Sequence, residues 1–291
     1  MKLNSENLKI ALQRKGRLEK HSKLMLKSIG LDFEYYEGRL FSHCQNFPLD
    51  VLFLRDDDIP EYVQNGVTDL GIVGLNVVQE KESKVAQLDS LGFGKCKLSI
   101  AVPQRSSLNS LQDLNGKRIA TSHTRILQNF LEENKISARV IEISGSVEIT
   151  PRLDVADAIC DLVSTGSTLR MNDLKPIETI LKSEAVLVAN PRSLEDPKKR
   201  EVMDRLRTRL QGNIQARQTK YVMMNAPEKS LDKIREILPG MRSPTVVPLA
   251  EEGMVAVHSA VPEEVFWDVI ELLKKTGATD ILVVPVEKMV T

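Results

Sequence analysis

An apolar run that ends in a glycine-centred turn of hydroxyls and then enters a helix start most restricts what this chain can become. Residues 158–163 read Ala-Ile-Cys-Asp-Leu-Val, residues 164–168 read Ser-Thr-Gly-Ser-Thr, and Leu169-Arg170-Met171 continue in a helix-compatible pattern. Strand, tight turn and helix make one unit of an α/β layer. Such a turn also presents backbone N–H groups and hydroxyls, and its glycine lets an anion approach the chain closely. From the turn alone, an ordinary strand-to-helix loop with a Ser/Thr cap reads the same way. The acids just upstream, Glu148, Asp154, Asp157 and Asp161, shift the reading toward a phosphorylated sugar. Carboxylates suit ribose hydroxyls, or a Mg²⁺ that in turn holds pyrophosphate.

The same alternation runs through most of the chain. Apolar runs at 8–12, 51–54, 70–74, 98–102, 118–121, 138–143 and 158–163 are separated by amphipathic stretches, which implies α/β architecture with mainly parallel sheets. Pro103 begins a polar stretch, 104–110, that suits a hinge between two lobes. Residues 176–190 read as strands returning to the first lobe, and 195–220 as a long charged helix. From Tyr221 the rhythm becomes β-α-β-β-α-β, the split ferredoxin-like arrangement. The expected partition is lobe one at 1–102 with 177–220, lobe two at 103–176, and a small α+β domain at 221–291.

Forty acidic residues balance forty basic ones, so no global field draws nucleic acid or an anionic membrane. No apolar run reaches membrane-spanning length, and the start carries no export signal. The three cysteines, Cys44, Cys96 and Cys160, have no metal spacing and read as reduced thiols of a cytoplasmic protein.

Gln13-Arg14-Lys15-Gly16-Arg17 follow the first strand, where cations around a glycine suit an anionic ligand at a sheet crevice. A solvated basic loop is the plain alternative. Arg39 and Arg55 lie beside apolar runs, and each alone fits a salt bridge. With Lys15 and Arg17 they would form a clamp for several phosphates. Asp56-Asp57-Asp58 precede Pro60, and Asp57 or Asp58 is expected to cap a short helix. Asp69-Leu70-Gly71-Ile72-Val73-Gly74 lacks dinucleotide spacing, but its glycines leave room for a ring or ribose against backbone. No P-loop and no nucleophile elbow is present. His123, after a strand, either lines the cleft or is structural.

These residues resemble the long, self-regulated form of the ATP phosphoribosyltransferase family over essentially the whole chain. The resemblance rests on Gln13-Lys15-Gly16-Arg17-Leu18, on Val51 through Pro60, on Asp69 through Gly74, and on Asn115 through Ser122. It continues with Gly145-Ser146-Val147-Glu148, the signature at 156–169, and the tail motifs Leu238-Pro239-Gly240 and Ser243-Pro244-Thr245. Where the signature has glycine, this chain has Asp154, a departure that leaves Asp154 out of the site. The resemblance implies two periplasmic-binding-protein-like α/β lobes around a cleft, plus a ferredoxin-like regulatory domain. It also implies condensation of ATP with phosphoribosyl pyrophosphate, with Mg²⁺, to give phosphoribosyl-ATP and pyrophosphate.

Carried over by position, Asp161, Ser164, Thr165, Gly166, Ser167 and Thr168 would hold the ribose 5-phosphate. Glu148 and Asp161 would face the ribose hydroxyls or the metal. Arg39 and Arg55 would stabilise pyrophosphate, Lys15 and Arg17 the ATP phosphates or the same leaving group. Gly16, Asp69 and Gly71 would border the nucleotide. Histidine, the implied feedback inhibitor, would bind Asn225, Met241, Ser243, Thr245 and Asp280, with Asn225 where some members carry an acid. AMP is a further candidate inhibitor, and a homo-oligomer from dimer to hexamer is implied. A solute-binding protein and a non-catalytic regulatory subunit are the rival readings. The missing export signal speaks against the first, and the intact turn and basic residues against the second.

Overall fold

The computed structural model describes residues 6–36, 38–238 and 244–290. The chain divides into two compact units, Met1–Met203 and Asp204–Thr291.

The first unit begins with β1 (Leu8–Gln13), α1 (Glu19–Ser28), β2 (Phe41–His43), β3 (Leu49–Leu54), α2 (Ile59–Gln64), β4 (Leu70–Gly74), α3 (Leu75–Glu80) and β5 (Ala86–Ser90). It crosses at 91–95 into a second lobe: β6 (Cys96–Pro103), β7 (Arg118–Thr121), α4 (Thr124–Glu133), β8 (Arg139–Glu142), β9 (Ala158–Val163), α5 (Ser167–Met171) and β10 (Leu174–Ser183). It returns at Glu184 to β11 (Ala185–Ala189), α6 (Pro191–Glu195) and α7 (Pro197–Arg217), within which the unit boundary falls.

Lobe one is a six-stranded sheet in the order β2-β3-β1-β4-β11-β5, and lobe two a five-stranded sheet in the order β10-β6-β9-β7-β8. β1 pairs in parallel with β3 and β4, and β7 with β8 and β9. The pairs β2–β3, β4–β11, β11–β5, β9–β6 and β6–β10 are antiparallel, so both sheets are mixed and not mainly parallel as the alternation of runs implied. Every residue of β4 is buried, as a strand covered on both faces requires. Ile59 and Val63 of α2 pack on Ala11, Val73 and Val188. In lobe two, Leu127 and Leu131 of α4 cover one face with Leu98, Ile100 and Ile119. Leu169 of α5 and Val147 cover the other with Ala101 and Ile159. These faces are the apolar halves of the amphipathic stretches legible in the sequence.

The lobe boundaries differ from the sequence reading. Residues 96–103 pair in the second sheet, so the chain crosses before β6 and not at Pro103. Of the run 176–190, only β11 returns to lobe one. The ten-residue β10 stays in lobe two, antiparallel to β6. Apolar runs mark strands, but strand partners are set by pairings remote in sequence.

The second unit contains β12 (Thr219–Pro227), α8 (Leu231–Ile237), β13 (Thr245–Pro248), β14 (Met254–Pro262), α9 (Phe266–Lys275) and β15 (Thr279–Pro285). Its four-stranded antiparallel sheet runs β13-β14-β12-β15, the ferredoxin-like order. Val222, Met224, Val255 and Val257 meet Ile234 of α8 and Leu273 of α9 in its core.

Candidate active site

Parallel strands place their carboxyl ends on one edge, and open α/β sheets bind ligands there. On that edge of lobe two stand Thr121 at the end of β7 with Ser122 and His123 after it, Ser144 and Glu148 after β8, and the turn 164–168 after β9. The turn hydroxyls Ser164, Thr165, Ser167 and Thr168 are exposed. Gly166, at φ 74°, supplies the left-handed step that lets the strand turn directly into α5. Thr165 Oγ1 lies 3.0 Å from Ser167 Oγ, and Arg170 Nη1 donates to the Thr165 carbonyl at 3.3 Å.

Asp161, on β9, accepts from the Leu162 backbone N–H at 2.7 Å. Burial raises its pKa above the ordinary carboxylate range. The Leu162 N–H pulls it back, and the nearby charge of Glu148 pushes it up again. Glu148 and Asp161 are therefore two acids close enough to repel, which favours a bound cation or hydroxyl donors between them. No group of three or more His, Cys, Asp or Glu side chains able to hold a metal occurs among the described residues. Two carboxylates suit Mg²⁺ that takes its other ligands from substrate phosphates and water.

The matching edge of lobe one is cationic. Lys15 and Arg17 follow β1 and Arg55 follows β3, while β2 runs antiparallel to β3 and so brings Arg39 to the same edge. Arg17 Nη1 donates to the Gly94 carbonyl at the interlobe crossing. Gly16, at φ 125°, shapes the turn, and a Cβ there would strike the Gln13 side chain. Gln13 Oε1 in turn accepts from the Leu18 N–H at 2.7 Å. Arg39 is partly engaged, with Nε donating to the Phe41 carbonyl at 2.8 Å and Nη1 lying 3.5 Å from Glu34. Arg55 is exposed and has no ion-pair partner among the described residues.

Pro60 lies in the first turn of α2, but Asp58 makes no side-chain cap bond. Asp56 behaves differently from a cap. One of its carboxylate oxygens is buried without a hydrogen-bond partner among the described residues. Burial, then the charge of Asp57, raise its pKa to about 6 against the pull of Arg17.

The two edges meet at His123. Ser183 Oγ donates to Asn76 Oδ1 at 2.9 Å, and Asn76 Nδ2 lies 3.1 Å from His123 Nε2. Burial lowers the His123 pKa, opposed by Glu80 and Asp57 and reinforced by Arg17. The neutral ring then accepts at Nε2 and donates from Nδ1 to Ser122 Oγ, 3.1 Å away. A cavity of ≈ 510 Å³ opens here, lined by Asp57, Glu80, Ser122, His123, Arg125 and Ser144 among others. A second, of ≈ 320 Å³, lies at the interlobe crossing beside Ser164, with Lys95, Lys97 and Lys182 in its wall. Sequence reading missed Asn76, Glu80, Ser183 and these lysines. Their signal is strand pairing, which no local pattern carries.

Asp69 and Gly71 are not on the cleft edge. Asp69 precedes β4 at its amino end and is 2% exposed. Its oxygens are taken by Lys199 at 2.7 Å, Ser193 at 2.7 Å and the Lys9 N–H at 2.9 Å. A Cβ on Gly71 would meet Ile59 at 2.7 Å and Val63 at 2.9 Å, so that glycine lets α2 pack on β4. Neither is positioned to border a nucleotide in the cleft.

Asp154 has φ 54° and a 96% exposed side chain that pairs with Arg118 at 2.9 Å. Left-handed backbone explains why glycine suits this position and why Asp is tolerated. Asp157 also binds Arg118, which holds its carboxyl below the usual range.

In the second unit, Asn225 Nδ2 donates to Asp280 Oδ2 at 3.1 Å, and Thr279 Oγ1 approaches the same oxygen at 3.1 Å. Thr245 is exposed on β13. Met241 and Ser243 lie outside the described residues.

Two family models match the chain: ATP phosphoribosyltransferase over residues 55–212, and the HisG C-terminal domain over residues 216–288. The ATP phosphoribosyltransferase of Cytophaga hutchinsonii is 48% identical over 283 residues, covering 97% of this chain and 98% of its own. That of Bacteroides thetaiotaomicron is 47% identical, covering 97% and 99%. A solved ATP phosphoribosyl transferase (HisG:HisZ) complex from Thermotoga maritima matches with a TM-score of 0.62 and 30% identity, covering 72% of this chain and 98% of that one.

Proposed function

The chain belongs to the ATP phosphoribosyltransferase family, and from that premise we propose how its cleft works. The family reaction condenses ATP with phosphoribosyl pyrophosphate to give N1-(5-phosphoribosyl)-ATP and pyrophosphate, the first step of histidine biosynthesis.

N1 of adenine attacks the anomeric carbon as pyrophosphate leaves, and the ribose gains oxocarbenium character. Little acid–base help is needed; the demands are in-line positioning and charge neutralisation. The turn 164–168 holds the 5-phosphate through its amides and hydroxyls, and Asp161 and Glu148 face the ribose hydroxyls. Those two carboxylates would also hold Mg²⁺, which when bound supplies positive charge against the pyrophosphate oxygens. Arg55, with no ion-pair partner among the described residues, stabilises the departing pyrophosphate, with Arg39 at the outer end of the same edge. Lys15 and Arg17 meet the phosphates of ATP. The observation that carries this reading is that the two strand edges meet around His123, one edge bearing the hydroxyl turn and paired acids, the other the cations.

The second unit senses histidine in this reading. Asn225 lacks a charge for the inhibitor's amine, and its partner Asp280 supplies one. AMP acts as a further inhibitor, and inhibition works by favouring one state of a homo-oligomer between dimer and hexamer. No helix among the described residues is long and apolar enough to cross a membrane. The buried thiols Cys44, Cys96 and Cys160 are unpaired, and we place the enzyme in the cytoplasm.

A spectrophotometric assay of phosphoribosyl-ATP formation, run with and without histidine, tests activity and regulation together. Product that forms only when both ATP and phosphoribosyl pyrophosphate are present supports the reading; absence of product rejects it.

A further inference from the structure

Lys97 of β6 and Lys182 of β10 stand directly opposite each other across an antiparallel pair. On its other side Lys97 pairs with Val163, the last residue of β9 before the turn. The three side chains therefore share one face at the cleft edge. Two residues further along each strand, Ser99 pairs with Asp161 on that same face.

Like charges directly opposite in a sheet destabilise it. Lys97 and Lys182 are exposed and have no ion-pair partner among the described residues. Lys95 lines the same cavity of ≈ 320 Å³, which reaches Ser164. The acid in its wall is Glu184, whose Oε2 accepts from the Gly92 N–H at 3.1 Å. Three ammonium groups thus surround a space with one carboxylate, next to the first hydroxyl of the turn.

We propose that Lys97 and Lys182, with Lys95 beside them, receive the diphosphate of phosphoribosyl pyrophosphate. This rests on the reading that the turn 164–168 holds the sugar's 5-phosphate and Asp161 its hydroxyls. Neighbouring strands are ~4.8 Å apart, so the two lysines step outward from the end of β9 by roughly 5 and 10 Å. A ribose seated on Asp161 would extend its anomeric substituent over that span. Lysine suits the task, since an ammonium is a compact charge that follows a diphosphate as it moves away. The diphosphate is then held from both lobes, by lysines on one side and Arg55 on the other. The sequence hides this, because the two lysines come together only when β10 pairs with β6.

The test uses the full chain with Lys97→Met, Lys182→Met and the double variant. Two measurements are made: steady-state kinetics for each substrate, and calorimetric binding of inorganic pyrophosphate. The expected result is a KM for phosphoribosyl pyrophosphate raised at least tenfold, a KM for ATP within twofold, and pyrophosphate binding weakened at least tenfold in the double variant. The thermal midpoint should hold or rise, since a like-charge pair is removed; a fall would make the lysines structural and overturn the proposal. A KM effect confined to ATP overturns it by assigning the lysines to the triphosphate. Unchanged pyrophosphate binding overturns it whatever the turnover. If the unaltered chain makes no product, the reaction itself is misassigned, and the calorimetric arm still reports on the lysines separately.

Discussion

The carboxylate of Glu80, at the end of α3 in lobe one, accepts the backbone N–H groups of Arg125 at 2.9 Å and Ile126 at 3.0 Å, in the first turn of α4 in lobe two. The local cap position, His123, makes no side-chain cap bond, so this helix is capped from across the cleft. Arg125 also pairs with Glu82 at 2.9 Å. Glu80→Ala is expected to cost ~1 kcal/mol in unfolding free energy, the usual value of a lost cap. Because the bond ties the lobes together, KM for both substrates should rise more than turnover falls. Unchanged melting and unchanged KM values would reject the latch.

Arg55→Ala should lower turnover by ~10²-fold, the scale of a lost transition-state charge contact, with a much smaller change in ATP binding. Pre-steady-state turnover and equilibrium ATP titration separate the two. The opposite pattern would reassign Arg55 to ATP.

Asp56 ties stability to pH. Its folded pKa of about 6 lies above the ordinary aspartate value of 3.8. Between those values the native state binds the extra proton, so the contribution of this group to stability is fully present below about 3.8 and is lost as pH rises through about 6. Asp56→Asn removes the buried charge and should stabilise the protein at pH 7 by on the order of 1–3 kcal/mol, with little gain near pH 4. Denaturant unfolding at the two pH values checks this, and an equal gain at both would refute it.

Asp154→Gly should leave the apparent affinity for phosphoribosyl pyrophosphate unchanged. The side chain is 96% exposed and bound to Arg118. The lost surface pair is worth ~0–1 kcal/mol, and glycine relieves the left-handed backbone. A tenfold change in affinity, ~1.4 kcal/mol, would place Asp154 against ligand after all.

Asp280→Asn keeps a residue that tolerates φ 48° and removes the charge beside Asn225. Histidine inhibition should weaken at least tenfold, ~1.4 kcal/mol. Inhibition curves for both proteins decide it, and equal inhibition constants would move the amine contact elsewhere.

Residues 158–171 announced themselves in the sequence because strand, glycine turn and helix are local events, each set by neighbours within a few positions. The ferredoxin-like tail was legible for the same reason, since its strands and helices alternate in order and its sheet is antiparallel. Asp69 and Gly71 show the limit. Their motif reads like a ligand loop, yet the acid is consumed by Lys199, Ser193 and Lys9, and the glycine by α2 packing. Only the tertiary structure decided that β6 and β10 pair within lobe two, that Lys97 faces Lys182, and that Glu80 caps a helix in the other lobe. Local backbone preference is carried by adjacent residues. Which strand neighbours which, and so which charges meet across a cleft, is fixed by burial summed over the whole chain.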